Sequence, residues 1–285
     1  MNNHVLVIAD QEPSSMAALQ KASEFVSPAT AQITVLAFID TGGPSRGDIS
    51  HNERLEALDV ATKKCFGSRS RISLDIVSTA EIAGYCADFC TRQQVELVIK
   101  TGHRSESLVY TPLDWQLIRA LPCPVIIAVN HRLSAERKLL VTLDVQTGYS
   151  HQKALDTKVL KWAGEWCDQH DYSLYVACCV EASDPLTNAD LQMLMDLEAK
   201  MRPRIEPVVQ QMLSRLSLAC KAILITAGSP VTALRRLADE LDADLVVLGF
   251  TARHGLGQLL VGHTAEKLMH KLDRNLAVVP DKPGV

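Results

Sequence analysis

The chain has 285 residues, 47% of them hydrophobic and 22% charged, with a net charge of -4. That size fits one large globular domain or two of ordinary size, and a pI near 6.1 argues against a general nucleic-acid surface. No apolar run approaches the roughly 18 residues of a membrane span, and the opening MNNHVLVIADQEPSS has no basic leader, so a cytoplasmic protein is expected.

HVLVIA at 4–9 reads as a short apolar strand followed by Asp10. A helical pattern from about 13 sets Ala18, Ala22, Phe25 and Val26 on one face. ITVLAFID at 33–40 is strand-like, a helix is predicted around 52–66, and ISLDIV at 72–77 is a third strand. A helix over about 79–93 leads to ELVIK at 96–100, and another near 112–121 leads to CPVIIAV at 123–129. After the polar stretch NHRLSAERK, 130–138, the same order begins again. KLLVTL at 138–143 ends at Asp144, and Leu155, Val159, Trp162, Ala163 and Trp166 then recur at helical spacing. SLYVACCV at 173–180 is the next strand. A long helical region fills about 187–217, where Pro203 and Pro207 are expected to break or kink it. AILIT at 222–226, a helix over 229–241, DLVVLG at 244–249, a helix from about 263 and LAVVP at 276–280 complete the repeat.

Strands alternating with helices imply parallel sheets covered on both faces, and continuous apolar runs suit strands buried that way. The expected fold is therefore α/β, with two five-stranded, Rossmann-like domains at 1–133 and 134–285. Each isolated sheet would leave edge strands open to pairing. The apolar strands 123–129 and 276–280 are therefore expected to meet antiparallel, as an intrachain pseudo-dimer. Further homodimerisation stays open.

The stretch GFTARHGLGQLLVGHTAEKL, 249–268, joins the penultimate strand to a helix and is rich in glycine. Ligands of open parallel sheets lie beyond the carboxyl ends of the strands. A glycine there admits a phosphate to the backbone, and the N–H groups of 263–265 would be free donors at a helix start. Ala265, Leu268, Met269 and Leu272 would anchor that helix. No G-x-x-x-x-G-K-[ST] occurs, and no G-x-G-x-x-G follows either first strand. The stretch alone suits a phosphate cradle or an ordinary strand-to-helix turn.

These residues resemble the universal stress protein family, and in particular its tandem, E-type members. The family places an Asp after the first strand and G-x2-G-x9-G-[ST] after the fourth. Asp144 matches that Asp, and Gly249, Ala252, Gly262 and His263 occupy the four motif positions. TPLDWQLIRALPCPV, 111–125, is similar to the matching segment in the first half of E-type chains. Ala252 and His263 depart from the motif, although Thr264 follows directly. In the first half Thr111 and Pro112 stand where Gly262 and His263 stand, and Pro112 has no N–H to offer an anion.

The resemblance implies an adenine nucleotide site in the second half, with Mg2+ accompanying the nucleotide, and a first half that has lost its own. Asp144 would face the adenine or ribose, and Val176 and Leu248 would line the adenine pocket. Gly249, Ala252, Gly262, His263 and Thr264 would surround the phosphates, with Arg253 and His254 within reach of them. Each has a plainer role open to it: turn cap for Asp144, strand-end core for Val176 and Leu248, solvated loop charge for Arg253.

No Ser/His/Asp or Cys/His set assembles from the strand ends. A protein that binds a small ligand and contributes to stress survival is expected, rather than an enzyme. A weak ATPase and a scaffold acting through protein partners are the alternatives. Cys86 and Cys90 lie one helical turn apart, half of a metal face with no matching pair nearby in sequence. Met193, Met195, Met201 and Met212 suit either core filling or an adaptable pocket. Trp115, Trp162 and Trp166 are expected as core or interface anchors.

Overall fold

A computed structural model describes residues 4–9, 17–39, 51–67, 71–102, 112–129, 131–146, 148–181, 191–251, 268 and 272–281. The chain divides into two compact units, one up to residue 130 and one spanning 131–281.

The first unit contains β1 (His4–Ile8), α1 (Ala17–Phe25), β2 (Gln32–Ile39), α2 (His51–Phe66) and β3 (Ile72–Ser78). It continues with α3 (Ile82–Gln93), β4 (Leu97–Thr101), α4 (Pro112–Ala120) and β5 (Val125–Ala128). All its strand pairs are parallel, in the order β3-β2-β1-β4-β5. The apolar runs of β1 and β5 are buried along their whole length, as strands covered on both faces must be.

The second unit contains β6 (Lys138–Leu143), α5 (Ser150–His170), β7 (Ser173–Glu181), α6 (Leu191–Arg215) and β8 (Ala222–Gly228). After these come α7 (Pro230–Leu241), β9 (Leu245–Phe250) and β10 (Asn275–Pro280). Its parallel order, β10-β9-β6-β7-β8, reproduces that of the first unit strand for strand. In both, the connection turns back on itself beside the first strand, between β1 and β4 and between β6 and β9. Such a switch point opens a crevice at the carboxyl ends of the strands.

Local chemistry explains the helix boundaries. α7 starts on Pro230, whose missing N–H is no loss in a first turn, and buries Val231, Ala233, Leu234 and Ala238 on one stripe. α3, α5 and α7 each stop on a non-glycine residue in the left-handed region: Gln94 (φ 50°), Asp171 (58°) and Asp242 (53°). The N–H of that residue returns to the last turn in each case.

The expected break at Pro203 and Pro207 does not occur, since α6 runs unbroken from Leu191 to Arg215. The carbonyls that lose an N–H partner belong to Ala199 and Pro203. Both residues are exposed, so water replaces the missing bonds at little cost. The buried residues of α6, Ile205, Val209 and Leu213, all lie in its second half. Met193 and Met195 are exposed and so do not fill the core, and Met201 and Met212 are half-buried. Trp115 and Trp166 are buried and Trp162 is half-buried, stacked on Trp166 at 5.2 Å between ring centres.

Asp244 is one of the side chains that hold the stretch after residue 130 to the second unit, beside Arg274, whose Nη1 lies 3.0 Å from His131 Nε2. Asp244 is completely buried, and its carboxylate accepts bonds from Ser134 N–H (2.6 Å), Ser134 Oγ (2.6 Å) and Lys138 N–H (2.9 Å). Asn275 Nδ2 donates to the Asp244 carbonyl at 2.8 Å, which ties in the start of β10.

Candidate functional site

The two switch points differ, and the difference begins in the strand register. In the second unit β6 and β9 pair only at Leu139–Leu245, Leu140–Val246 and Val141–Val247. β6 then runs on to Leu143 and β9 to Phe250, so the two strand ends part. In the first unit β1 and β4 stay paired from Val5–Leu97 to Ile8–Lys100, the last residue of β1.

Asp144 is the first residue past β6 and is exposed. Its backbone N–H donates to Asp156 Oδ1 at 3.3 Å, and Gln152 Nε2 donates to the same oxygen at 2.9 Å. Asp156 and Gln152 are one turn apart on α5, so the helix grips the turn that follows β6. Gln146 Nε2 donates to the Cys179 carbonyl at 2.8 Å, tying that turn to β7 as well. Asp156 is 3% exposed, and its Oδ2 has no hydrogen-bond partner. Burial pushes its carboxyl up to about 6 and the Asp144 charge adds to the rise, while the bonds from Gln152 and the Asp144 N–H oppose it.

Val176 and Leu248 are buried within β7 and β9. Gly249 has a packing reason to be glycine. A Cβ there would stand 2.8 Å from Leu155 Cγ and Cδ2 and 3.0 Å from Val159 Cγ2, so its absence lets α5 lie close on β9. Lys158, one turn on from Leu155, lies within electrostatic reach of Asp281 just past β10, and burial lowers its pKa against that attraction. Ala252, Arg253, His254, Gly262, His263, Thr264, Ala265 and Met269 lie outside the described residues, as do Asp10 and Thr111. Leu268 and Leu272 are both buried, as the anchoring stripe requires.

At the end of β6 two carboxyl groups, Asp144 and Asp156, thus lie within electrostatic reach of each other. Carboxylates accept hydrogen bonds, so this end of β6 suits hydroxyl and amino donors. Among the described residues no group of three His, Cys, Asp or Glu could hold a metal ion.

At the first unit's switch point Lys100 takes the strand position that Leu248 takes in the second. It is 4% exposed, Asp114 on α4 is 2% exposed, and Lys100 Nζ stands 2.5 Å from Asp114 Oδ1. Pro112 is the first residue of α4, so this helix start has no N–H at its first position.

Sequence reasoning passed over Asp156, Gln152 and the Lys100–Asp114 pair. Their signals were present: a Gln and an Asp four residues apart on an otherwise core-facing helix, and a Lys inside an apolar strand. The thiol of Cys123 bonds to Cys90 and is pushed well above the usual thiol range by that bond first and by burial second. All eight cysteines are free. Burial pushes Cys86, Cys167, Cys178 and Cys179 up to about 12, and a protonated thiol is a poor nucleophile.

A model of the universal stress protein family matches residues 137–280, half of the chain. Universal stress protein E of Photorhabdus laumondii is 25% identical over 197 residues, covering 65% of this chain and 62% of its own. The protein of that name from Escherichia coli K12 is 26% identical over 197 residues, covering 66% of this chain and 61% of its own. The match therefore spans less than two thirds of either relative. Among solved structures, a functionally unknown protein from Pseudomonas aeruginosa PAO1 superposes with a TM-score of 0.73 at 19% identity, over 98% of this chain and 92% of its own. A universal stress protein from Archaeoglobus fulgidus does so with 0.66 at 14% identity, over 98% and 99%. At those identities the two structures speak for the fold. The chain belongs to the universal stress protein family.

Proposed function

We propose that the second unit binds one small ligand carrying a sugar or amino donor and a phosphate, an adenine nucleotide in the first instance. On this reading the first unit is structural. The observation that carries it is the contrast between the switch points. β6 and β9 part with Asp144 at the edge of the opening, while β1 and β4 stay paired to the end of β1 and Lys100–Asp114 occupies the neighbouring core.

Asp144 accepts from the ribose hydroxyls or the adenine amine. The backbone of 252–264, with Arg253, Gly262, His263 and Thr264, takes the phosphates. Leu248 and Val176 form the floor beneath the base. The described residues offer no cluster for a bare cation, so Mg2+ would arrive with the nucleotide, held by its phosphates. Binding without turnover, a role in stress survival and a cytoplasmic location complete the proposal. Eight unbridged cysteines favour the reducing compartment.

Calorimetric titration with ATP tests the assignment. Gly262→Asp, which sets a carboxylate where the phosphate would lie, should abolish binding, and Thr111→Asp should leave it intact. Equal loss from both variants, or binding untouched by Gly262→Asp, would overturn it.

A further inference from the structure

We propose that Asp156, steadied by Gln152, is a positioning residue whose protonation is transmitted to Asp144 through the backbone, making the second unit's site responsive to pH. The ligand side of this inference rests on the function proposed above; the transmission itself does not.

The geometry is a buried carboxyl with unequal oxygens. Oδ1 accepts from the Asp144 N–H at 3.3 Å and from Gln152 Nε2 at 2.9 Å. Oδ2 is enclosed with no partner. Ionisation therefore strengthens both bonds to Oδ1, because a charged acceptor draws its donors in. It also sets a second negative charge beside Asp144 at the edge of the crevice. The titratable groups acting on Asp156 among the described residues are Asp144 at the end of β6 and Cys178 on β7. Cys178 stays protonated through the neutral range, since burial pushes it up to about 12. Asp156 is thus the described group here that changes charge near pH 6. Losing its proton disfavours an anionic ligand and favours one with a donor or positive group.

The test follows the Asp144 amide of the full, nucleotide-free chain by 15N–1H NMR between pH 5 and 8. The expected result is a downfield movement with a midpoint near 6 that Asp156→Asn removes. Gln152→Ala provides a second handle, because it deletes a donor that favours the ionised form and should raise the midpoint. No midpoint near 6 in the wild type, one that survives Asp156→Asn, or one that Gln152→Ala leaves in place would overturn the inference. Should Asp156→Asn fail to fold, the Gln152→Ala result decides it.

ATP titrations at pH 5.5 and 7.5 then give the consequence for the ligand. The wild type should bind about twofold more tightly at the lower pH relative to Asp156→Asn, since one charge over roughly 7 Å in a high dielectric is worth about threefold and Asp156 changes most but not all of its charge over that interval. Equal pH dependence in the two proteins would overturn transmission to the ligand. An intact amide titration with no ATP binding would overturn the proposed function and leave the coupling standing.

Discussion

Replacing Lys100 by Met is the sharpest test of why the first unit's switch point is closed. The side chains of Lys100 and Asp114 are 5% and 3% exposed, with nitrogen and oxygen 2.5 Å apart. Lys100 Nζ also donates to the Thr101 carbonyl at 2.9 Å. Removing the ammonium leaves a carboxylate in a site nearly closed to water, and breaking buried pairs in this way costs about 3–5 kcal/mol. Removing both charges is different, because a buried pair exchanged for apolar residues is neutral or stabilising by about 1–4 kcal/mol. Lys100→Met alone should therefore be severe, and Lys100→Met with Asp114→Leu should recover most of the loss.

A chain of two units need not unfold in one step, so the readout has to be local. Hydrogen exchange read by mass spectrometry on peptides from β4 and α4 serves, with peptides from α5 and β6 as the internal control. The reasoning fails if Lys100→Met lowers local stability by less than about 1 kcal/mol, the range of an exposed pair. It fails also if the double variant is as unstable as the single.

Other consequences follow from the second unit. Asp156 has a folded pKa of about 6 against an ordinary value of 3.8, so stability fully present below about 3.8 is lost as pH rises through about 6, by about 3 kcal/mol in total. Asp156→Asn escapes that loss at the cost of about 1 kcal/mol for a buried, unpartnered NH2. It should stabilise by about 2 kcal/mol at pH 8 and destabilise by about 0.5 kcal/mol near pH 4, as measured at both by the urea dependence of amide exchange in β6 and α5 peptides. Gly249→Ala forces a methyl against Leu155 and Val159 and should cost about 1–3 kcal/mol in the same assay; an unchanged urea dependence would show that α5 can move away. Asp244→Ala removes the acceptor of two half-buried backbone donors, Ser134 N–H and Lys138 N–H, while the Ser134 hydroxyl keeps the Glu136 carbonyl. It should cost about 3 kcal/mol and speed amide exchange across 131–138, and unchanged exchange there would show that other contacts hold the stretch.

Strand and helix positions were legible because a buried parallel strand announces itself as an unbroken apolar run, as HVLVI and LAVVP do, whereas the order of the strands within each sheet was not. α6 was misread because the rule for proline concerns the bond it removes, and the sequence does not say that Ala199 and Pro203 face water. The position of Asp144, directly after the first strand of the second repeat, was legible. Asp156 was not, since one Asp on a helix looks the same whether it points outward or into the core. Lys100 was hidden for the opposite reason. A charge inside an apolar run has meaning only beside its partner, and Asp114 lies fourteen residues further on, at the start of another element. Gly249 stood out in the sequence as a glycine of the nucleotide motif, whereas the structure supplies a packing reason, the approach of Leu155 and Val159.

The central claim is one functional site per chain, in the second unit. Native mass spectrometry of the full chain with ATP and Mg2+ measures it directly. The account predicts a single adduct of one nucleotide per chain, kept in Thr111→Asp and lost in Gly262→Asp. Two nucleotides per chain, or a single one that survives Gly262→Asp, would contradict it.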